Sequence, residues 1–334
     1  AGHLSGQAPL PPYQARGLLR APFPYPDLAE VQGQAAAKRA LLVAAAGAHN
    51  LLLSGPPGTG KTLLASRLPG LLPALDEDEA LEVAAIHSVA SHVPLRHWPQ
   101  RPFRQPHHSA SAPALVGGGS RPQPGEITLA HQGVLFLDEL PEFERKVLEV
   151  LREPLESGEI VIARANGRVR FPARFQLVAA MNPCPCGYLG DPSGRCRCTP
   201  EQVQRYRGKL SGPLLDRIDL HVSVLRESTS LQPGHGETAT AEVSERVGAA
   251  RQRQLARQGC ANAHLDLQAM HRNCALAEAD RRWLEAAGER LELSLRALHR
   301  ILKVARTLAD LERIDAIERR HLAEALQYRA TTST

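Results

Sequence analysis

The chain has 334 residues, 43% of them hydrophobic but only 4% aromatic, with a formal charge of +5. This allows two domains, or one large one, around a core of Leu, Val, Ile and Ala. The basic balance permits an anionic partner such as nucleic acid without requiring one. No run of about 18 apolar residues occurs, which excludes a membrane-spanning helix, and no secretory leader opens the chain.

Residues 1–26 are proline-rich with little periodicity and read as a linker or arm. The chain begins Ala1-Gly2-His3 without Met, as a piece excised from a longer protein would. A helical pattern covers residues 27–46 and stops at Gly47. Asn50-Leu51-Leu52-Leu53-Ser54 is a short apolar run suited to a buried strand. It leads into Gly55-Pro56-Pro57-Gly58-Thr59-Gly60-Lys61-Thr62, which fits the phosphate-binding pattern G-x-x-x-x-G-K-[ST]. Leu63 comes next, in a helix that Pro69 is expected to stop. Glycines let the backbone aim its N–H groups at phosphate oxygens, and the helix N-terminus adds positive potential. Lys61 would reach the β- and γ-phosphates of ATP, Thr62 would hold Mg2+, and Leu63 completes the nucleotide-binding set.

Asp76-Glu77-Asp78-Glu79 opens a helix predicted to reach Val89. Residues 91–125 come after it, rich in proline and histidine, with Gly117-Gly118-Gly119 and Arg96, Arg101, Arg104 and Arg121. A loop this long inside a compact domain is usually functional or disordered. Val134–Leu137 reads as a buried strand ending in Asp138 and Glu139. Asp138 would hold Mg2+ and Glu139 would orient or deprotonate the attacking water. A solvated acidic turn is the plainer alternative. Residues 144–156 read as a helix whose last turn Pro154 disturbs. Residues 160–171, centred on Asn166-Gly167, predict a β-hairpin. Its Arg164, Arg168 and Arg170 could track a DNA backbone, or merely protect an exposed edge. A further buried strand, residues 176–182, ends in Asn182, which would position the lytic water unless it only shapes a turn.

Cys184, Cys186, Cys196 and Cys198 form C-x-C-x9-C-x-C, with Cys260 and Cys274 apart. Four thiolates from two short loops suit a closed, structural Zn2+ site, although C-x-C is tighter than the usual spacing. Disulfides or free thiols are the alternatives; a cytosolic location disfavours disulfides. Leu214-Leu215-Asp216-Arg217-Ile218-Asp219 sets an arginine between two acids. Arg217 is either a local salt-bridge partner or an arginine finger reaching a neighbouring subunit's ATP. Residues 222–224 read as a last strand, and 226–240 as a boundary. Helical patterns then dominate, most clearly Leu295, Leu298, Leu302, Ala305 and Leu308. Ser294 reads as an N-cap, so Arg296 falls in a first turn, where a cation opposes the helix dipole. It is either an ordinary exposed arginine or a γ-phosphate sensor. The expected architecture is an α/β nucleotide-binding core with a parallel sheet, residues 27–225, followed by a helical lid, residues 226–334.

In this order the P-loop, Leu137-Asp138-Glu139, Asn182, Arg217 and Arg296 resemble an AAA+ ATPase. More narrowly, Arg104-Gln105-Pro106-His107-His108, Met181-Asn182-Pro183-Cys184-Pro185-Cys186-Gly187-Tyr188 and residues 210–219 resemble the ComM/YifB family of magnesium-chelatase-like AAA+ proteins. The resemblance implies a cytoplasmic hexameric helicase that uses ATP and Mg2+ to drive DNA branch migration during natural transformation. It also implies that residues 91–125 are a helix-2 insert, that residues 160–171 are a pre-sensor-1 hairpin, and that both face the ring pore. Family members carry a Lon-protease-like domain ahead of this region, which this sequence lacks. A magnesium-chelatase motor subunit, and a zinc-stabilised DNA-binding module that uses ATP to assemble, are the rival readings.

Overall fold

The computed structural model describes residues 25–91, 99–118, 123–164, 167–192, 194–226 and 238–330. Five strands make one parallel sheet: β1 (Leu51–Ser54), β2 (Phe103–Arg104), β3 (Val134–Leu137), β4 (Gln176–Met181) and β5 (Leu220–Ser223). Their order is β2-β3-β4-β1-β5. β4 therefore lies between β1 and β3, pairing Ser54 with Met181 and Leu137 with Ala179. The carboxyl ends of these three strands meet at one edge, where open α/β sheets bind ligands.

Strand alternation divides the core. Leu51, Leu53, Val134, Phe136, Val178, Ala180, Leu220 and Val222 face α1 (Ala35–Gly47) and α2 (Lys61–Leu71). Leu52, Leu135, Leu137, Leu177 and Ala179 face the other way, toward Leu115, Ile127, Leu140 and the hairpin residues Ile160 and Ile162. On the first face the C-terminal helices extend the core. These are α4 (Thr240–Gln258), α5 (Leu267–Asn273), α6 (Glu278–Arg290), α7 (Leu295–Leu311) and α8 (Arg319–Ala330). α4 and α7 pack on α1, and α8 packs on β5. The parallel sheet between helices and the helical C-terminal region make this an AAA+ αβα fold. No helix among the described residues is long and apolar enough to cross a membrane.

Several boundaries differ from the expectations. The first α-helix begins at Ala35, because Gly33 and Gln34 take positive φ angles of 61° and 54°. A short 3-10 turn, Leu28–Glu30, precedes it. Pro69 does not stop α2, which continues to Leu71: in a last turn proline removes one donor without blocking the next residues. The expected 144–156 helix is two pieces, Arg145–Glu149 and Pro154–Ser157, with Pro154 opening the second rather than bending the first. Residues 91–125 are not one long loop. α3 (Glu77–Ser91) ends where this stretch begins, Phe103–Arg104 is an edge strand, and Ala112–Val116 is helical. The last strand starts earlier than expected, at Leu220. The buried seam of α7 runs through Ala297, Ile301, Val304, Ala305 and Leu308, while Leu295 is 68% exposed. The arm of residues 1–24 and the tip Ala165-Asn166 lie outside the described residues.

Candidate nucleotide site and metal centre

β1 delivers the chain into the phosphate loop, and α2 starts at Lys61 immediately behind it. Gly58 and Gly60 have φ angles of 76° and 85°, a region glycine enters without strain. Gly55 is required for a different reason: a Cβ there would lie 2.1 Å from the Val224 carbonyl oxygen. Its N–H donates to the Met181 oxygen at 3.2 Å, which ties the loop to β4.

The loop forms one wall of a cavity of about 450 Å3 lined by Pro57 to Leu63, Asp138, Glu139, Met181 and Asn182. The Lys61 ammonium donates to the oxygens of Gly55 at 2.7 Å, Pro56 at 2.8 Å and Asn182 Oδ1 at 3.2 Å. Burial pushes its pKa down, opposed by the charges of Asp138 and Glu139. The Thr62 hydroxyl donates to Asp138 Oδ2 at 2.7 Å. A hydroxyl and a carboxylate at this separation form a hard-oxygen pair of the kind Mg2+ takes beside phosphates. Of the residues expected to hold the nucleotide, Pro57 to Leu63, Asp138, Glu139 and Asn182 are thus brought together around one cavity, while Gly55 and Pro56 lie behind its lining and meet Lys61 through their carbonyls.

Glu139 shows two features that its strand-end motif does not reveal. Its backbone sits in the left-handed region, φ 53°, and its N–H donates to Asp138 Oδ1 at 2.9 Å. Strain at a non-glycine residue is typical of functional sites. Its carboxylate also meets His108 Nδ1 at 3.2 Å. The only signal of this in the sequence was the His107-His108 pair shortly after β2.

Arg217 and Arg296 are not among the residues lining this cavity. All the lining residues come from the core, so among the described residues of one chain no part of this cavity lies between core and helical region. Arg217 is buried, its guanidinium donating to Pro213 O at 2.6 Å and pairing with Glu156 at 2.5 Å. Arg296 is exposed in the first turn of α7 after Ser294, whose hydroxyl accepts from Ala297 N at 3.2 Å.

The four clustered cysteines do converge. Sγ separations are 3.4 Å for Cys184–Cys186, 3.8 Å for Cys184–Cys196 and 3.7 Å for Cys186–Cys196. With Cys198 included, all four sulfurs lie within 4.8 Å of one another. Sulfurs about 2.3 Å from a tetrahedral Zn2+ lie about 3.8 Å apart, so the cluster has the dimensions of a Zn2+ site. The Tyr188 N–H draws the Cys186 thiol down to about 6, while the neighbouring thiols push Cys196 and Cys198 up. Gly187, φ 84°, packs this knot on the phosphate loop: a Cβ there would lie 2.7 Å from Pro57 Cδ and 3.7 Å from Asn182 Cγ.

The hairpin spans Glu159–Arg164 and Gly167–Pro172 and pairs Val161 with Arg170 and Ala163 with Arg168. Ile160 and Ile162 are buried, so Arg168 and Arg170 project from the opposite, exposed face. The Arg170 guanidinium lies 3.9 Å from Glu159. Arg164 belongs to the first strand, but its side chain lies outside the described residues.

Fold and cavity define an AAA+ nucleotide-binding protein. Residues 27–231 match the family described as magnesium chelatase, subunit ChlI, and residues 237–329 match magnesium chelatase, subunit ChlI C-terminal. The chain is 58% identical over 309 residues to competence protein ComM of Haemophilus influenzae, covering 91% of this chain and 60% of that protein. It is 55% identical over 311 residues to the YifB protein of Escherichia coli, covering 91% of this chain and 60% of that one. A magnesium-chelatase 38 kDa subunit of Cereibacter sphaeroides is 27% identical over 227 residues, or 62% of this chain and 60% of the subunit. The chain belongs to the ComM/YifB family of magnesium-chelatase-like AAA+ proteins. It spans 60% of the length of the ComM and YifB relatives.

Proposed function

We propose that the chain is the ATP-hydrolysing motor of a cytoplasmic DNA translocase that promotes branch migration during recombination in natural transformation. The observation that carries this reading is the convergence of Lys61, Thr62, Asp138, Glu139 and Asn182 on one cavity, in a chain whose exposed hairpin face presents Arg168 and Arg170. The name of the 58%-identical relative, a competence protein, supports the process.

In this reading the loop N–H groups and Lys61 hold the β- and γ-phosphates. Bound Mg2+ would neutralise phosphate charge, with Thr62 and Asp138 as its protein ligands. Glu139 takes the proton of the attacking water, and Asn182 orients that water. Arg217 lies outside the cavity lining and would act on the ATP of a neighbouring copy in a ring, hexameric in the family resemblance, while Arg296, from the lid, would sense the γ-phosphate. The core, residues 27–225, moves against the lid, residues 226–334, and the hairpin arginines pull a DNA strand. The four cysteines would hold one structural Zn2+, with no coordination position open for catalysis.

The test is branch migration of a synthetic four-way junction with ATP, comparing the unaltered chain with Glu139→Gln. Migration that needs both ATP and Glu139 is expected. ATP turnover without strand movement, unchanged by DNA, would favour the chelatase-type motor, to which the 27%-identical relative points. Junction binding with no turnover would favour the DNA-binding module.

A further inference from the structure

A second cavity, of about 470 Å3, opens at the amino ends of the strands, on the opposite edge of the sheet from the phosphate loop. Gly133, just ahead of β3, and Gln176, the first residue of β4, mark its floor. α4 supplies Arg251 and Leu255 to its wall.

The two buried-side arginines of this cavity differ. Arg101 is fully engaged: it donates to Pro73 O and Gln132 O, both at 2.6 Å, and pairs with Glu79 at 3.2 Å. Arg251 donates through Nη2 to Ala45 O at 2.6 Å, but neither Nη1 nor Nε has a partner among the described residues. Its Nε is shut off from solvent, and no described carboxylate lies within ion-pair distance. Burial pushes the Arg251 pKa down to about 10, the neighbouring Arg101 adds to that, and the more distant charge of Glu79 opposes it. His264, also lining the cavity, is lowered to about 4 by burial and by Arg251, so it is neutral at pH 7 and offers no second charge. Asp76, Glu79 and Arg174 also line the cavity, but Arg251 makes no direct ion pair with either acid among the described residues, and a deep cation so placed is costly unless a counter-charge reaches it. Beside it Leu255 is 50% exposed, with Leu72 and Phe175 also facing the space.

We propose that this cavity binds a small organic anion, its carboxylate or phosphate-ester head on the Arg251 guanidinium and its apolar body against Leu72, Phe175 and Leu255. The planar guanidinium suits either head. The ligand would fasten α4 to the sheet. This site is separate from the ATP cavity and does not depend on the motor reading.

The test titrates benzoate and phenyl phosphate into the full chain by calorimetry, with Lys61→Ala and Arg251→Met in parallel. At least one probe should bind the unaltered chain and Lys61→Ala alike, and Arg251→Met should weaken it at least about tenfold. Binding of benzoate alone assigns a carboxylate ligand; binding of phenyl phosphate alone assigns a phosphate ester. Should Arg251→Met fail to fold, Arg251→Lys keeps the charge without the fork and should still weaken binding severalfold. Binding of neither probe overturns the proposal. So does binding that is lost in Lys61→Ala and kept in the Arg251 variants, which would place the probe on the phosphate loop.

Discussion

Arg300 of α7 donates a 2.5 Å hydrogen bond to Asp219, and the same guanidinium reaches the main-chain oxygen of Arg217 at 3.5 Å. Asn50, just ahead of β1, completes the clamp: its N–H donates to Asp219 Oδ2 at 2.9 Å and its Nδ2 to Arg217 O at 3.0 Å. Burial alone would raise the Asp219 pKa, but Arg300 and His49 overcome it and hold the carboxyl well below the usual range. Arg296 stands one helical turn before Arg300. The finger candidate Arg217 and the sensor candidate Arg296 thus hang from one buried junction. Arg300→Ala should leave buried Asp219 without its guanidinium partner, held only by the Asn50 N–H and His49, costing roughly 3 kcal/mol of stability. Thermal unfolding would register this as a lowered Tm, and ATP turnover should fall more than nucleotide binding.

The cavity residues separate into binding and turnover. Lys61→Ala should abolish ATP binding, measured with a fluorescent analogue. Glu139→Gln should still bind ATP while turnover falls about 10^2- to 10^4-fold.

Arg217 offers a test by mixing. Arg217→Ala alone should lower turnover about 10^3-fold, with binding kept. Combined with inactive Lys61→Ala chains, it should regain measurable activity, because a mixed ring contains sites with both a working lysine and a working arginine. A mixture as inactive as its components would show that Arg217 serves only its own chain, as the Glu156 partner.

The cysteine knot predicts about one Zn2+ per chain by metal analysis. Chelation, or Cys184→Ser, should weaken ATP binding as well as stability, because Gly187 seats the knot on Pro57. A chain free of metal as purified, with full nucleotide affinity, would remove zinc from the account.

His221, buried in β5, gives a pH dependence. Burial lowers its pKa to about 4, and Arg329 reinforces this. The unfolded chain binds the proton near pH 6.5 and the folded chain only near pH 4. Stability should therefore fall as pH drops through this window, by up to about 3 kcal/mol from this residue. Above pH 6.5 both states are neutral and the contribution is flat. Denaturant titrations of the chain and His221→Gln should converge at low pH if this account holds.

The phosphate loop and the Asp138-Glu139 pair were legible because phosphate and Mg2+ demand fixed residue types within a few positions. Asn166-Gly167 announced the hairpin for the same kind of local reason. β2 was not legible: it is two residues set between Pro102 and Pro106, with no room for a period. Contacts such as His108–Glu139 and Arg217–Glu156 join distant segments, and only tertiary packing selects them. The leucines between 295 and 308 marked α7 as a helix, but not which of its sides α1 and α8 cover.

The empty side-chain position at Gly55 is filled by the carbonyl of Val224, where the chain leaves the core toward the C-terminal helices. The phosphate grip and that exit strand are therefore a single mechanical part. A chimera joined just after Ser223, with the next segment taken from another protein, would have to reproduce that carbonyl's position. The two halves are poor candidates for exchange as independent cassettes, however cleanly two family matches divide them.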